Sequence, residues 1–418
     1  MNKVYLCIDL KTFYASVECV ERRLDPFKTD LIVADARRGK GSICLAISPK
    51  MKERGIKNRC RVFEIPSNVH PIIAKPRMKK YMEYSTKIYK VYLKYVDKCD
   101  IHVYSIDEAF LDVTSYLKMY QMSAEELAKT IMKDIFDVTG ITSAAGIGTN
   151  LYLAKIALDI TAKHSLYHIG YLDEEKYKKE LWHHTPLTDF WQIGIGTLNR
   201  LHKLHLKDMY DIAHTNEKNL YKEFGINAKL LIDHSKGIEP CTIKDIKAYK
   251  PKTKSLSNHQ ILQKDYDDMQ AKIVLTEMID NLVLELTSKH LCTDIIGFYI
   301  GYSKDIIPGI KFTKKLNQCT CSYTIILNEL IKEYDYRINS NYKIRKIGIW
   351  FGNAHEKKYE QLDLFHQYKI EEKDNKVEET MIYLKNKFGK SSILRGLSYM
   401  EGATQISRNK LIGGHNAE

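Results

Sequence analysis

The chain has 418 residues, enough for two to four domains rather than one core. Its 44% hydrophobic and 28% charged residues are an ordinary soluble globular balance, which excludes a fibrous or disordered chain. Lys plus Arg outnumber Asp plus Glu by 65 to 52, a formal net charge of +13. That surplus favours polyanionic partners, nucleic acid above all, although a ribosome-associated or simply basic protein would read the same way.

In chain order, MNKVYLCIDL opens with one Lys and an apolar run ending in Asp9, the pattern of a buried strand that delivers an acid at its carboxyl end. The run is too short for a signal peptide or membrane span, and no later one reaches membrane length. Residues 13–22 have helical character, and 30–66 mix short strands with the Gly- and Arg-rich turn RRGKGS. Residues 76–95 are helical by spacing, and YSIDEAF (104–110) then joins two short strand segments, 102–106 and 109–113. A helix at 123–138, a strand at 141–147 and a helix at 151–162 follow, and this alternation predicts a sheet layered on helices. Residues 170–237 read as wholly helical, with breaks at Pro186, Gly194, Gly196 and Gly225.

The stretch IKDIKAYKPKTKSLSN crowds five lysines around one proline and predicts a mobile basic linker. Strands near 256–263, 294–302, 319–323 and 344–351, with helices at 267–289 and up to 334, then have the βαββαβ-like order of a small split ferredoxin-like domain. Beyond Asn353 the chain turns polar, predicting a flexible tail with short helical pieces. The nine cysteines are scattered except for Cys319 and Cys321. A C-x-C without a second ligand pair is a poor zinc site, and an odd count does not suggest a disulfide framework. Reduced thiols in a cytoplasmic protein are expected.

The acids Asp107 and Glu108 raise the chemical question, because burying a carboxylate costs several kcal/mol unless something compensates it. An exposed hairpin tip is the simpler reading of a lone Asp-Glu pair. A turn between strands of the sheet that also carries Asp9 would instead gather all three carboxylates. Such clustered acids repel unless a cation sits among them, and carboxylate oxygens are the hard ligands that Mg²⁺ takes together with substrate phosphates. Two such ions about 3.5–4 Å apart would activate an attacking hydroxyl and stabilise a leaving pyrophosphate.

IDLKTFYASVE (8–18), YSIDEAFLDV (104–113) and AGIGTNLYLAKIALDITAK (145–163) stand in the order and spacing of the Y-family translesion DNA polymerases. The chain resembles the UmuC side of that family, the bacterial polymerase V type, from residue 3 to about 352. The resemblance implies an α+β right-hand polymerase with a ferredoxin-like palm (1–10 and 76–166), small fingers (11–75) and a helical thumb (167–240). A basic linker (241–254), a βαββαβ little-finger domain (255–353) and a tail (354–418) complete it. It implies catalysis by Asp9, Asp107 and Glu108 with two Mg²⁺ ions, Asp9 and Asp107 holding both and the Leu10 carbonyl ligating the nucleotide-side ion.

Phe13 and Tyr14 fall at the nucleotide, with Tyr14 at the sugar gate: a flat ring under the sugar leaves no room for a 2′-hydroxyl. Core packing is the simpler reading of a Phe-Tyr pair that opens a helix. Lys163 matches a lysine that grips the terminal phosphates, and Lys52 falls near a basic triphosphate contact. Here the sequence departs from the polymerase IV branch, reading Pro49-Lys50-Met51-Lys52 in place of a Tyr-x-x-Arg pattern.

WQIGIGTLNRL (191–201) resembles the family's helix-hairpin-helix, whose bared amides at Gly194 and Gly196 bind a DNA phosphate without reading sequence. Lys252 and Lys254 would track the duplex backbone. QLDLF (361–365) looks like a sliding-clamp binding peptide, with Gln361, Leu362, Leu364 and Phe365 docking in extended form. The implied partners are primer–template DNA, deoxynucleoside triphosphates, the sliding clamp and accessory proteins of the SOS response to DNA damage, with no membrane. The implied place is the cytoplasm, at the nucleoid. Low-fidelity repair synthesis without a proofreading exonuclease is expected, since no stretch is left for one. A nucleotidyl cyclase shares such acids but has no use for a DNA hairpin, a basic linker or a clamp peptide. A catalytically silent DNA-binding adaptor need not keep all three acids.

Overall fold

The apolar run after Lys3 becomes the central strand of a sheet, β1 (Tyr5–Leu10), whose Leu6 and Ile8 point to one face and Tyr5, Cys7 and Asp9 to the other. The computed structural model describes residues 3–36, 39–251, 254–356 and 367–418. They fall into two units, Met1–Tyr249 with His415–Glu418, and Lys250–Gly414.

In the first unit, β1 leads into α1 (Phe13–Glu21). A small three-stranded sheet follows, β2 (Leu31–Val33), β3 (Ala46–Ile47) and β4 (Ile72–Ala74), with α2 (Pro49–Glu53) between the last two. Ile32, Ala34, Cys44, Ile47 and Met51 form its core. After α3 (Met78–Tyr92) come β5 (Ile101–Val103) and β6 (Glu108–Asp112), then α4 (Tyr116–Tyr120) and α5 (Ala124–Thr139). Strand β7 (Ser143–Gly148), helix α6 (Leu151–Ile156) and strand β8 (Ile169–Leu172) complete a five-stranded sheet of order β5-β6-β1-β7-β8. Strand β1 is antiparallel to both β6 and β7.

Helix α6 can lie directly on β7 because β7 ends in AGIG. A Cβ on Gly146 would sit 2.1 Å from the Ala154 carbonyl oxygen, and one on Gly148 2.1 Å from the Ala154 nitrogen. Leu151, Ala154 and Leu158 thereby pack on Tyr5, Cys7 and Phe110. Beyond Ile156 the helix widens into a π turn over Ala157–Thr161 and tightens into a 3₁₀ turn over Ala162–His164.

A second core joins α6 to a helical segment, α7 (Glu174–Leu181), α8 (Ile195–Lys203), α9 (Met209–His214), α10 (Glu217–Phe224) and α11 (Ala228–Ser235). The expected basic linker differs. Thr242 and Asp245 form a reciprocal cap that starts α12 (Ile243–Ala248), and Ile243 buries itself beside Tyr5 and Cys7. One apolar residue with one cap outweighs the lysines there.

The second unit is an antiparallel sheet of order β11-β10-β12-β9, built from β9 (Lys254–Tyr266), β10 (Leu291–Tyr302), β11 (Ile310–Thr320) and β12 (Ile344–Glu356). The helices α13 (Asp268–Ser288) and α14 (Tyr323–Arg337) cover it through a shared core. Strand β11 lies earlier than the sequence suggests. Its lysines at 311, 314 and 315 mask an alternation whose inward member is Phe312, 8% exposed.

Two further expectations are corrected. Cys319 is joined in a disulfide with Cys292, Cα to Cα 5.7 Å, because adjacent strands bring them side by side. His355, opposite Cys292 on β12, lies within 4.8 Å of both sulfurs. Within the tail, residues 367–388 form one long helix, α15 (Gln367–Phe388), in place of short pieces, and it packs on α13 and α14. Its buried residues are Glu371, Glu378 and Met381, so acids interrupt the apolar stripe in the sequence. Glu371 accepts from Thr320 Oγ1 at 2.5 Å, Asp374 from the Thr324 amide at 2.8 Å, and Glu378 from the Tyr323 amide at 3.1 Å. These last two acids cap the amino end of α14. Residues 415–418 return to the first unit, where the Ala417 carbonyl accepts from the Lys79 amide in the first turn of α3. Among the described residues, no helix is long and apolar enough to cross a membrane.

Candidate active site

Antiparallel register brings the acids together. Asp9 at the end of β1 stands directly opposite Glu108, the first residue of β6. Cross-strand partners share a face, so both carboxylates lie on the side that α6 covers. Asp107 would point away in a continuous strand. The chain instead turns, with the amides of Tyr104 and Ser105 both donating to the Glu108 carbonyl at 3.0 Å. Asp107 thus belongs to the turn, held by Ser105 Oγ at 2.6 Å, while its carbonyl accepts from the Leu10 amide at 2.9 Å.

The three acids share one electrostatic neighbourhood. The Asp9 carboxyl is pushed up to about 7, chiefly by burial and then by the negative charges of Asp107 and Glu108. Glu108 is 9% exposed and is held by Lys155 of α6, with Nζ to Oε1 at 2.9 Å, and by the Cys7 thiol at 3.1 Å. Burial alone would lower the Lys155 pKa, but Asp159 at 3.0 Å and Glu108 raise it, so the ammonium stays charged. Burial and the Glu108 charge push the Cys7 thiol well up, leaving it a neutral donor.

Cations line the other side of Asp9. Lys11 is lowered to about 8 by burial, with Asp9 opposing and Lys52 adding to the shift. Lys52 on α2 is lowered by desolvation of its ammonium, with Asp9 opposing and Lys163 reinforcing. Lys163, whose charge reaches Lys52, is exposed in the 3₁₀ turn after α6. Tyr14, in the first turn of α1, has its phenol raised by burial and by Asp107, with Arg59 opposing. Phe13 beside it is 2% exposed and belongs to the core.

Three carboxylates bounded by lysines suit one kind of ligand. The donors are hard oxygens, and Asp9, raised first by burial and then by its acidic neighbours, carries a charge that a divalent cation would stabilise. The lysines, which repel one another, would be neutralised by a polyphosphate. The residues fit a hard divalent cation together with a polyphosphate.

The remaining expected residues lie elsewhere. Gly194 caps the amino end of α8 and Gly196 sits in its first turn, both exposed. Lys254 is the exposed first residue of β9. Lys252 and the peptide residues Gln361, Leu362, Leu364 and Phe365 fall outside the described residues. Sequence reasoning missed Lys11, Arg59 and Lys155. Lys155 had one signal, the Lys-x-x-x-Asp spacing that pairs it with Asp159 on one helical face.

Residues 8–159 match the model of the impB/mucB/samB family, and residues 253–364 that of the impB/mucB/samB family C-terminal domain. The chain is 31% identical to the putative UV-damage repair protein UvrX of Bacillus subtilis, over 100% of this chain and 98% of that protein. It is 27% identical to DNA polymerase IV 2 of the same organism, over 99% of each. Among solved structures it resembles a Y-family DNA polymerase chimera at 22% identity, with a TM-score of 0.63, covering 85% of this chain and 100% of that one.

Proposed function

Because the chain belongs to the impB/mucB/samB family, the Y-family DNA polymerases, we propose a mechanism for it as a translesion enzyme built on Asp9, Asp107 and Glu108. It is a DNA-directed DNA polymerase that takes primer–template DNA and nucleotides. The carrying observation is the register that sets Asp9 opposite Glu108 with Asp107 in the adjoining turn. We read the ion as Mg²⁺, held by the three carboxylates and the Leu10 carbonyl. When two such ions are bound, they activate the primer 3′-hydroxyl and neutralise the leaving pyrophosphate.

The chain's own groups do the positioning. Lys155 pairs with Glu108 and aims it. Lys52 and Lys163, with Lys11, attract the triphosphate, and the Tyr14 ring closes the space beneath the sugar. The sheet of the first unit is assigned as palm, the small sheet as fingers, the helical segment as thumb with Gly194 and Gly196 on a DNA phosphate, and the second unit as little finger, with Lys252 and Lys254 on the backbone. Residues 361–365 are assigned to a sliding clamp. The reading extends to low fidelity without a proofreading exonuclease, and to SOS accessory proteins as partners. Asp107→Ala should abolish primer extension in Mg²⁺ while leaving primer–template affinity nearly intact. Retained extension would remove the assignment.

A further inference from the structure

One buried charged cluster lies behind the gate and takes no part in that mechanism. Glu18, on α1, is 0% exposed. It accepts from Arg77 Nε at 3.0 Å and Nη2 at 2.8 Å, from the Tyr81 hydroxyl at 2.7 Å, and from Arg22. A planar guanidinium gripping a carboxylate through two nitrogens is geometrically exacting. Glu18 lies four residues after Tyr14 on α1, and Tyr81 four after Arg77 at the start of α3. Each pair therefore shares a helical face. Tyr81 spans both partners: its hydroxyl meets Glu18, and its ring stacks on Tyr14 at 4.4 Å between centroids and 17° between planes. Tyr81 is itself 0% exposed, and Phe13 meets its ring edge-on at 6.5 Å and 62°.

We propose that Tyr81, locked by Glu18 and Arg77, is a positioning residue that backs the Tyr14 ring and sets how strictly ribonucleotides are refused. The inference rests on Tyr14 being the sugar gate. Steric exclusion of one hydroxyl works only if the wall cannot retreat. A tyrosine with empty space behind it would swing about χ1 and admit the larger sugar. Tyr81 occupies that space with a flat ring parallel to the gate, and Tyr81 cannot move without breaking its bond to a buried, doubly held carboxylate.

The test uses the full-length polymerase on primer–template with Mg²⁺. Single-nucleotide insertion of each deoxynucleotide and its ribonucleotide gives the ratio of kcat/KM values. Tyr81→Leu should lower this ratio by about tenfold or more, the scale on which a site rejects one small group, with ribonucleotide kcat/KM rising outright. A general packing defect would not raise it. Tyr81→Phe keeps the stack but loses the bond to Glu18, so its ratio should fall, by less than that of Tyr81→Leu. In the Tyr14→Ala background, Tyr81→Leu should lower the ratio no further, since the two act through one contact.

If melting shows that Tyr81→Leu does not fold, Glu18→Gln decides, with a smaller fall expected. An unchanged ratio in whichever of these variants folds, or equal losses for both sugars, overturns the backing role. Those results with a collapsed ratio in Tyr14→Ala sink only that role. An unchanged ratio in Tyr14→Ala removes the gate itself, and the inference with it.

Discussion

Lys155→Met tests the electrostatic logic of the site most directly. The ammonium is the charged partner of Glu108 at 2.9 Å and of Asp159 at 3.0 Å, and the side chains of Lys155 and Glu108 are 11% and 9% exposed. Methionine keeps the stem and removes the charge, leaving a buried carboxylate beside another acid. Breaking a buried pair from one side costs about 3–5 kcal/mol, because the remaining charge is left desolvated. At about 2–4 °C per kcal/mol for a unit of this size, the melting midpoint should fall by about 6–20 °C in chelator. Adding Mg²⁺ should narrow the gap without closing it, since a cation among the acids relieves Glu108 but not Asp159. Primer extension should drop by about 10–100-fold, the usual effect of losing the group that orients a metal ligand. Differential scanning fluorimetry with and without Mg²⁺, beside single-turnover extension, reads all three. A variant that melts with the wild type in chelator would show that Glu108 needs no counter-charge, and the reasoning would fail.

Gly148→Ala should destabilise the first unit by more than about 3 kcal/mol, because the new Cβ meets backbone that has no rotamer to yield. Its closest atom would be the Ala154 nitrogen at 2.1 Å, and a urea midpoint close to wild type would refute that packing. Glu378 is 0% exposed, with its carboxyl raised by burial from 4.5 to about 7. A raised acid adds stability that is complete below its unfolded pKa and lost as pH climbs through its folded one. The second unit should therefore weaken from about pH 5 to pH 8, by on the order of 3 kcal/mol at most. Glu378→Gln should flatten that slope and be the more stable form at pH 8; a variant less stable there, or with the slope intact, would contradict the assignment. Deleting residues 361–365 should reduce clamp-stimulated synthesis alone, and an equal loss without clamp would refute the docking role.

Local pattern sufficed for much of this protein. The run before Asp9, the segments flanking Asp107 and Glu108, and the long helix of the second unit follow from periodicity and caps over a few neighbouring residues. Short-range patterns of that kind also carried the motif blocks that mark the family. Chain folding alone decided what stands against what. The register of β1 with β6 sets Asp9 opposite Glu108, 99 positions apart in the numbering of that pairing. Lys155, which sequence reasoning does not single out, becomes the counter-charge of Glu108, because two glycines let α6 lie on the strand. Tyr81 finds Tyr14, Cys292 finds Cys319, and a polar helix finds the cap of α14, all through contacts with no signature in local spacing. The reason is physical: propensity and amphipathicity act within a turn or two of chain, whereas ion pairing, stacking and polar docking depend on which distant segments the topology brings within a few ångströms.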